Sequence, residues 1–303
     1  TTQNIATLLD QSIASAFDKA DAVLLSTEQL YLRRGPDGLP FGLPQAELKA
    51  QLKQLATRVP EAFAIRIVDR QGVLRFGSDA LPAQRMSYAD RAFFTRLRDH
   101  PAQGRVVDGP LLGRQHDQWI MVLARPLLDQ EGRFAGVIYA NFRTALFERI
   151  LSAAELGPQG AATVRTTDLA LVHRFPDAKG AVGSRNVSKE LAAIIQASPP
   201  AGEYIAVTAL DGIERSNAYR RVADLPLYVI VGTATLNDTR HLLRYGGVLF
   251  TLAACALGLA AAVVWVNVRN ERRLKADIRA RKHINEALQR EVDERRRAEA
   301  QAT

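Results

Sequence analysis

The sequence predicts an α+β exported part: a long N-terminal helix carrying two stacked domains of antiparallel sheet, then a transmembrane helix and a coiled-coil linker. Three observations predict it. Residues 3–33 place apolar side chains at three- and four-residue spacing, the mark of a helix with one buried face. The order helix, β-hairpin, helix, three strands then occurs twice between residues 45 and 233, as in an antiparallel α+β unit. Finally, no charged residue lies between Arg244 and Arg269, a gap of 24 residues. At about 1.5 Å per residue, that length crosses a hydrocarbon core of about 30 Å.

The elements follow in order. Ile5, Leu9, Ile13, Ala16, Phe17, Ala20, Val23 and Leu24 form the stripe of the first helix, which ends before the turn residues Gly35-Pro36-Asp37-Gly38. Pro44 precedes a shorter amphipathic helix over 45–58. Ala62–Val68 and Val73–Phe76 are β-branched and apolar, with Asp69-Arg70-Gln71-Gly72 between them as a hairpin turn. A helix over 89–99 stops at His100-Pro101, and strands follow at 105–108, 119–127 and 133–142. The second round has a helix at 143–155, strands at 161–166 and 169–173, and a helix at 188–197. It closes with strands at 203–209, 213–221 and 227–233. The boundaries are 1–44 for the long helix and loop, 45–150 and 151–240 for the two domains, 241–268 for the span and 269–303 for the linker.

Charge orients the chain. The 15 residues after the span hold seven Lys/Arg, against Arg240 and Arg244 in the 15 before it. The positive-inside rule puts 269–303 in the cytoplasm and 1–244 outside. The tail holds eleven Lys/Arg against seven Asp/Glu, so half of the net charge of +8 is juxtamembrane. That basic excess suits an anionic membrane surface rather than nucleic acid. Cys255, the single cysteine, lies within the span, so the exported part has no disulfide and relies on its core. Export of residues 1–244 calls for an upstream signal or membrane helix, and a helix is expected. His116 and His173 are isolated from other metal-ligand types. With no nucleophile elbow, phosphate loop or paired carboxylates, neither metal, cofactor nor catalysis is expected in this segment.

Several runs resemble a known family. Tyr88-Ala89-Asp90-Arg91-Ala92-Phe93-Phe94, Gly109-Pro110-Leu111-Leu112-Gly113-Arg114, Trp119-Ile120, Arg125 and Gly132–Val137 look like the distal half of a double Cache sensor. Asp211–Arg215, Tyr219–Val222 and Pro226–Val231 resemble the closing strands of its proximal half. The resemblance covers about 1–240. It implies two stacked PAS-like (Cache) domains of an extracytoplasmic bacterial receptor, held in the inner membrane. The distal half would hold the ligand and the proximal half would pass the change on.

The resemblance also implies where a ligand sits. Amino-acid-binding members place an Arg on the helix entering the pocket and an Asp after a later Pro-Tyr pair. Here Arg91 keeps the first position, while Gly113 stands at the second. A cation without that anion suits a small carboxylate or other anion. Arg125, Arg114 and His116 are expected as further donors, with Tyr88, Phe94 and Tyr139 beside them. Without a ligand, Arg91 would be answered by Asp90, and Arg125 by Asp108 or Asp129.

Ala254, Gly258 and Ala262 share one face of the span, which permits close helix packing. Leu274, Ile278, Ile284, Leu288 and Val292 form a stripe with imperfect heptad spacing, the pattern of a parallel homodimeric linker. The expected role is the sensing and signalling part of a sensor histidine kinase. A diguanylate cyclase or chemoreceptor sensor, or a docking module for a periplasmic binding protein, are the alternatives.

Overall fold

Helix α1 (Thr2–Leu32) buries the apolar stripe its sequence carries, with Leu9, Ile13, Phe17, Ala20 and Leu24 all withdrawn from solvent. The computed structural model describes residues 2–32, 45–80, 84–115, 117–234 and 236–301. The turn expected at 35–38 and Pro44 lie outside them. Strands β1 (Ala62–Asp69), β2 (Leu74–Gly77), β3 (Val106–Leu112), β4 (Trp119–Leu128) and β5 (Phe134–Arg143) form one antiparallel sheet in the order β2-β1-β5-β4-β3. Strands β6 (Ala161–Thr166), β7 (Leu171–Phe175), β8 (Ala201–Val207), β9 (Glu214–Arg221) and β10 (Leu227–Ala234) form a second, ordered β7-β6-β10-β9-β8. The permutation is the same in both. The register agrees as well, since Arg66 of β1 faces Tyr139 of β5 and Arg165 of β6 faces Tyr228 of β10.

One core serves both sheets. Helix α1 contacts β4, β5, β9 and β10, and its Phe17 ring stacks on Phe142 at 4.7 Å. Helices α2 (Gln45–Ala56) and α4 (Ala145–Ser152) add Leu52, Phe147 and Leu151 to the same cluster. Each sheet turns its other face to a separate helix. Helix α3 (Ala92–Asp99) places Phe93, Phe94 and Leu97 against the first sheet, and α5 (Lys189–Ala197) places Leu191 and Ile195 against the second.

Two elements differ from the sequence reading in ways that shape the site. Helix α3 begins at Ala92 rather than 89, because Arg91 is extended (φ −76°, ψ 139°). The Asp108 carboxylate accepts from the Phe93 N–H at 3.1 Å, satisfying a donor that a helix start leaves open. Strand β3 runs to Leu112 rather than ending at Asp108, with a register shift between Asp108 and Leu111. Pro110 is tolerated there because β3 is an edge strand.

The second compact unit, Leu236–Thr303, is described by helix α6 (Leu236–Gln301). Within it, Leu249–Lys275 is long and apolar enough to cross a membrane by length and composition. Its large apolar side chains, among them Leu249, Phe250, Leu257 and Trp265, are exposed, as a lipid-facing helix requires.

Candidate ligand-binding site

The face of the first sheet that carries α3 holds a small cavity. Strand β1 contributes Phe63 and Arg66, β5 contributes Tyr139 and Asn141, and the turn before α3 contributes Tyr88 and Arg91. Residues between β3 and β4, including Gly113, Arg114 and Gln115, complete the rim. The turn is pinned from below: the Tyr88 N–H donates to the Gly72 carbonyl at 2.7 Å. Gly72 has φ +77°, and a Cβ there would lie 2.6 Å from the Ala89 nitrogen. Only glycine lets the two turns approach so closely.

Three arginines line the cavity, and they differ in what answers them. Arg66 is 4% exposed. Its Nε donates to Asp79 Oδ1 at 3.1 Å, and its Nη2 donates to Asp79 Oδ2 and to Gln115 Oε1. Burial alone would depress its pKa, but the forked bond to Asp79 and the nearby Tyr139 and Tyr88 outweigh burial and raise it. Arg114 donates to Asp90 at 2.5 Å and to the Ser87 carbonyl, with its guanidinium 5.5 Å from the Tyr88 ring centre. Although desolvation acts the other way, Asp90 is held below the usual carboxylate range by its own backbone N–H and by Arg114 together. Arg91 forms no ion pair among the described residues, although the Asp90 carboxylate, paired with Arg114, lies within its electrostatic reach. Arg91 Nη2 donates to the Leu112 carbonyl at 2.9 Å, and its Nε is buried without a hydrogen bond.

The cavity wall also holds two other buried polar atoms without partners, the Tyr139 hydroxyl and Asn141 Oδ1. Burial pushes the Tyr139 hydroxyl well above its usual pKa, so it remains a neutral donor. It lies in the field of Arg66 and Tyr88 without a properly directed bond to either. Buried polar atoms are nearly always satisfied. Three orphans in one wall (Arg91 Nε, Tyr139 OH, Asn141 Oδ1) mark a place where a polar ligand would complete the bonding. No lining residue among those described is acidic, and no group of three potential metal ligands occurs among them.

Residues 1–236 match the family model of the Cache domain. The chain belongs to the Cache family. The extracellular domain of rpHK1S-Z16, a candidate histidine kinase, superposes on this Cache chain with a TM-score of 0.66 at 25% identity, covering 77% of this chain and 92% of that one. The ligand-binding domain of the Pseudomonas aeruginosa PAO1 amino acid chemoreceptor PctC, in complex with GABA, gives 0.56 at 20% identity, covering 76% and 96%. The periplasmic sensory domain of the Campylobacter jejuni chemoreceptor Tlp1 gives 0.61 at 11% identity, covering 77% and 94%. No curated protein sequence matches the chain. It is an extracellular ligand-sensing Cache domain followed by a candidate membrane helix.

Within this Cache domain the structure brings Tyr88, Arg91, Arg114 and Tyr139 together at the cavity. Gly113, where the resemblance looks for an aspartate, lines it too. Arg125 does not. On β4, Ile120, Val122 and Ala124 pack on the cavity side, while Met121 and Leu123 join the α1 core. Arg125 shares the parity of the latter and pairs with Asp21 at 2.9 Å and Glu28 at 3.3 Å on α1. Neither Asp108 nor Asp129 answers it. Phe94 lies behind the wall, edge-on to Phe134 at 5.6 Å, and Phe93 takes the lining position. Asp90 pairs with Arg114 instead of Arg91. His116 lies outside the described residues. Arg66, Gln115 and Asn141 are additions that the sequence reading lacks; an arginine amid the apolar run 62–68 was the available signal for the first.

Proposed function

We propose that the cavity of the first sheet domain binds a small carboxylate or comparable anion outside the cell, with Arg91 as its anchor. The observation that carries this reading is the charge balance of the wall. Arg66 and Arg114 are each paired with an aspartate, whereas Arg91 keeps a donor free and unsatisfied. A guanidinium left without an anion in a partly buried place is unfavourable, and a planar carboxylate matches its fork. The Tyr139 hydroxyl stands as a further donor. Among the described residues no acid lines the cavity to hold an amine. GABA, the ligand in the PctC structure, carries an ammonium as well as a carboxylate.

For the whole protein we favour a sensor histidine kinase, on the strength of the likeness to rpHK1S-Z16. A chemoreceptor is the second reading, favoured by the likeness to PctC and Tlp1. In either case the ligand would bias the chain between two arrangements by binding one of them better. The charge asymmetry around the span supports an orientation with residues 1–244 outside and 269–303 in the cytoplasm, in a bacterial inner membrane. Paired α6 helices would carry the signal across. Cysteines at Ile284 or Leu288, in a Cys255→Ser background, should cross-link between subunits much faster than cysteines at Arg281 or Asn285. Equal rates at all four positions would argue against a paired linker.

The ligand class is tested by a thermal-shift series on the full chain in lipid nanodiscs, using small mono- and dicarboxylates, phosphate, sulfate and amino acids. A saturable rise with one class of anion is expected, by linkage of binding to folding. A rise with amino acids alone would overturn the anion reading. No rise with anything would favour a role in docking a binding protein.

A further inference from the structure

The second sheet domain repeats the first strand for strand, and its face toward α5 holds a small cavity of its own. Arg165 lines it. This residue is the fifth of β6, as Arg66 is the fifth of β1, and each faces a tyrosine on the strand that closes its sheet. What answers the two arginines is different. Arg66 grips Asp79. Arg165, only 3% exposed, donates to three carbonyls: Leu169 at 2.6 Å and Ser184 at 3.0 Å from Nη1, and Asn186 at 3.1 Å from Nη2.

Three bonds leave two of the five guanidinium N–H groups over. Among the described residues no carboxylate pairs with Arg165. Burial pushes its pKa down to about 10, as expected of a charge that dipoles solvate without a counterion. The other cation of the lining, Arg215, makes a forked bond to Asp211 at 2.8 and 2.7 Å, a carboxylate it shares with Arg174. Burial raises the pKa of Tyr204, so its hydroxyl is a neutral donor, and Leu191 and Ile230 give the cavity an apolar side. No acidic residue lines it among those described.

We infer that this second cavity is a separate site for a small monocarboxylate, whose anionic end pairs with Arg165 while its short alkyl part lies against Leu191 and Ile230. The class follows from the inventory. One unanswered guanidinium accommodates one carboxylate, and the fork of Arg215, the other lining cation among the described residues, is already filled by Asp211, so a dicarboxylate's second charge would lie beside apolar side chains. An amino acid would find no acid for its ammonium. The site stands on its own residues and does not depend on the reading of the first cavity.

The test is calorimetry on the full chain in lipid nanodiscs with acetate, propionate, butyrate and succinate. An Arg91→Ala background removes the anchor of the first cavity. The expected result is saturable binding of at least one monocarboxylate in that background, with succinate at least about tenfold weaker. Adding Arg165→Gln should lower the affinity about tenfold or more, the loss of a charge-assisted pair. Tyr204→Phe, which keeps the ring, should lower it several-fold, and it decides the matter if Arg165→Gln fails to fold by circular dichroism. Unchanged affinity in the decisive variant would overturn the site. So would the absence of monocarboxylate binding in Arg91→Ala; if the wild type still binds, that result would assign all binding to the first cavity and leave the proposed function intact.

Discussion

In the first sheet domain the arginine at the fifth position of the leading strand, Arg66, is held by Asp79. In the second, Arg165 at the same position meets only carbonyl oxygens among the described residues. The frames around them match in strand order and in register. Asp79 comes from the segment after β2, so the connections between strands, rather than the sheets, decide whether the shared cation is answered from within. Among the described residues, the lining cation without an ion pair is Arg91, on the turn before α3, in the first domain, and Arg165, on the sheet itself, in the second. The tyrosines facing the two arginines diverge in the same sense: Tyr228 donates to the Pro199 carbonyl at 3.1 Å, whereas the Tyr139 hydroxyl has no partner.

The sharpest way to break this comparison is to remove the carboxylate that distinguishes the halves. Asp79→Asn strips Arg66 of its counterion and is expected to lower the unfolding free energy by about 3 kcal/mol, within the range for a broken buried pair. Arg66→Met with Asp79→Leu together should lower it less than Asp79→Asn alone, since no charge is then stranded. Urea unfolding followed by Trp119 fluorescence in a Trp265→Phe background measures both. A loss below about 0.5 kcal/mol for Asp79→Asn would show that Arg66 needs Asp79 no more than Arg165 needs an acid.

A smaller effect is expected at Arg125, which ties β4 to α1 through Asp21 and Glu28. Arg125→Met should destabilise by about 1–2 kcal/mol, less than a stranded charge, because Asp21 also accepts from Arg105 at 3.3 Å. Ligand affinity should not change. A fall in affinity with no loss of stability would return Arg125 to the ligand site.

The smallest effect concerns acid. His173 on β7 is buried with Nε2 unbonded, and burial lowers its pKa below the ordinary 6.5 against the pull of Glu148 and Asp177. The unfolded chain therefore binds this proton more tightly than the folded one. Its contribution to stability is full above about pH 6.5 and is lost as pH falls from there through the folded value. Melting temperature between pH 7.5 and 5 should decline, and His173→Phe should flatten the slope. An identical slope in the variant would remove His173 from the account.

Much of this architecture was legible in the residues. The stripe from Leu9 to Leu24, the turn Asp69–Gly72 and the β-branched runs are local signals, and each forms the element its period predicts. Arg91 was legible by resemblance, as the residue entering the pocket. Arg125 was misplaced because alternation along β4 separates two sets of side chains without saying which set faces α1. That is settled only by tertiary packing. Asp79 and Gln115 were invisible for a related reason: they reach Arg66 from 13 and 49 residues away. Arg66 and Arg165 were in plain view, since an arginine within an apolar strand is costly unless something answers it. What answers each depends on contacts that no local pattern records.

The central claim is that Arg91 is the cation left for the ligand. Calorimetry on the full chain in nanodiscs, with the anion that gives the largest thermal shift, compares wild type with Arg91→Ala and Arg91→Lys. Losing a desolvated charge-assisted pair should weaken binding by about 2–5 kcal/mol, or roughly 30- to 4,000-fold. Lysine should restore only part of it, since an ammonium lacks the planar fork. Equal affinity in wild type and Arg91→Ala would contradict the account and leave Arg91 as a rim residue held by the Leu112 carbonyl alone.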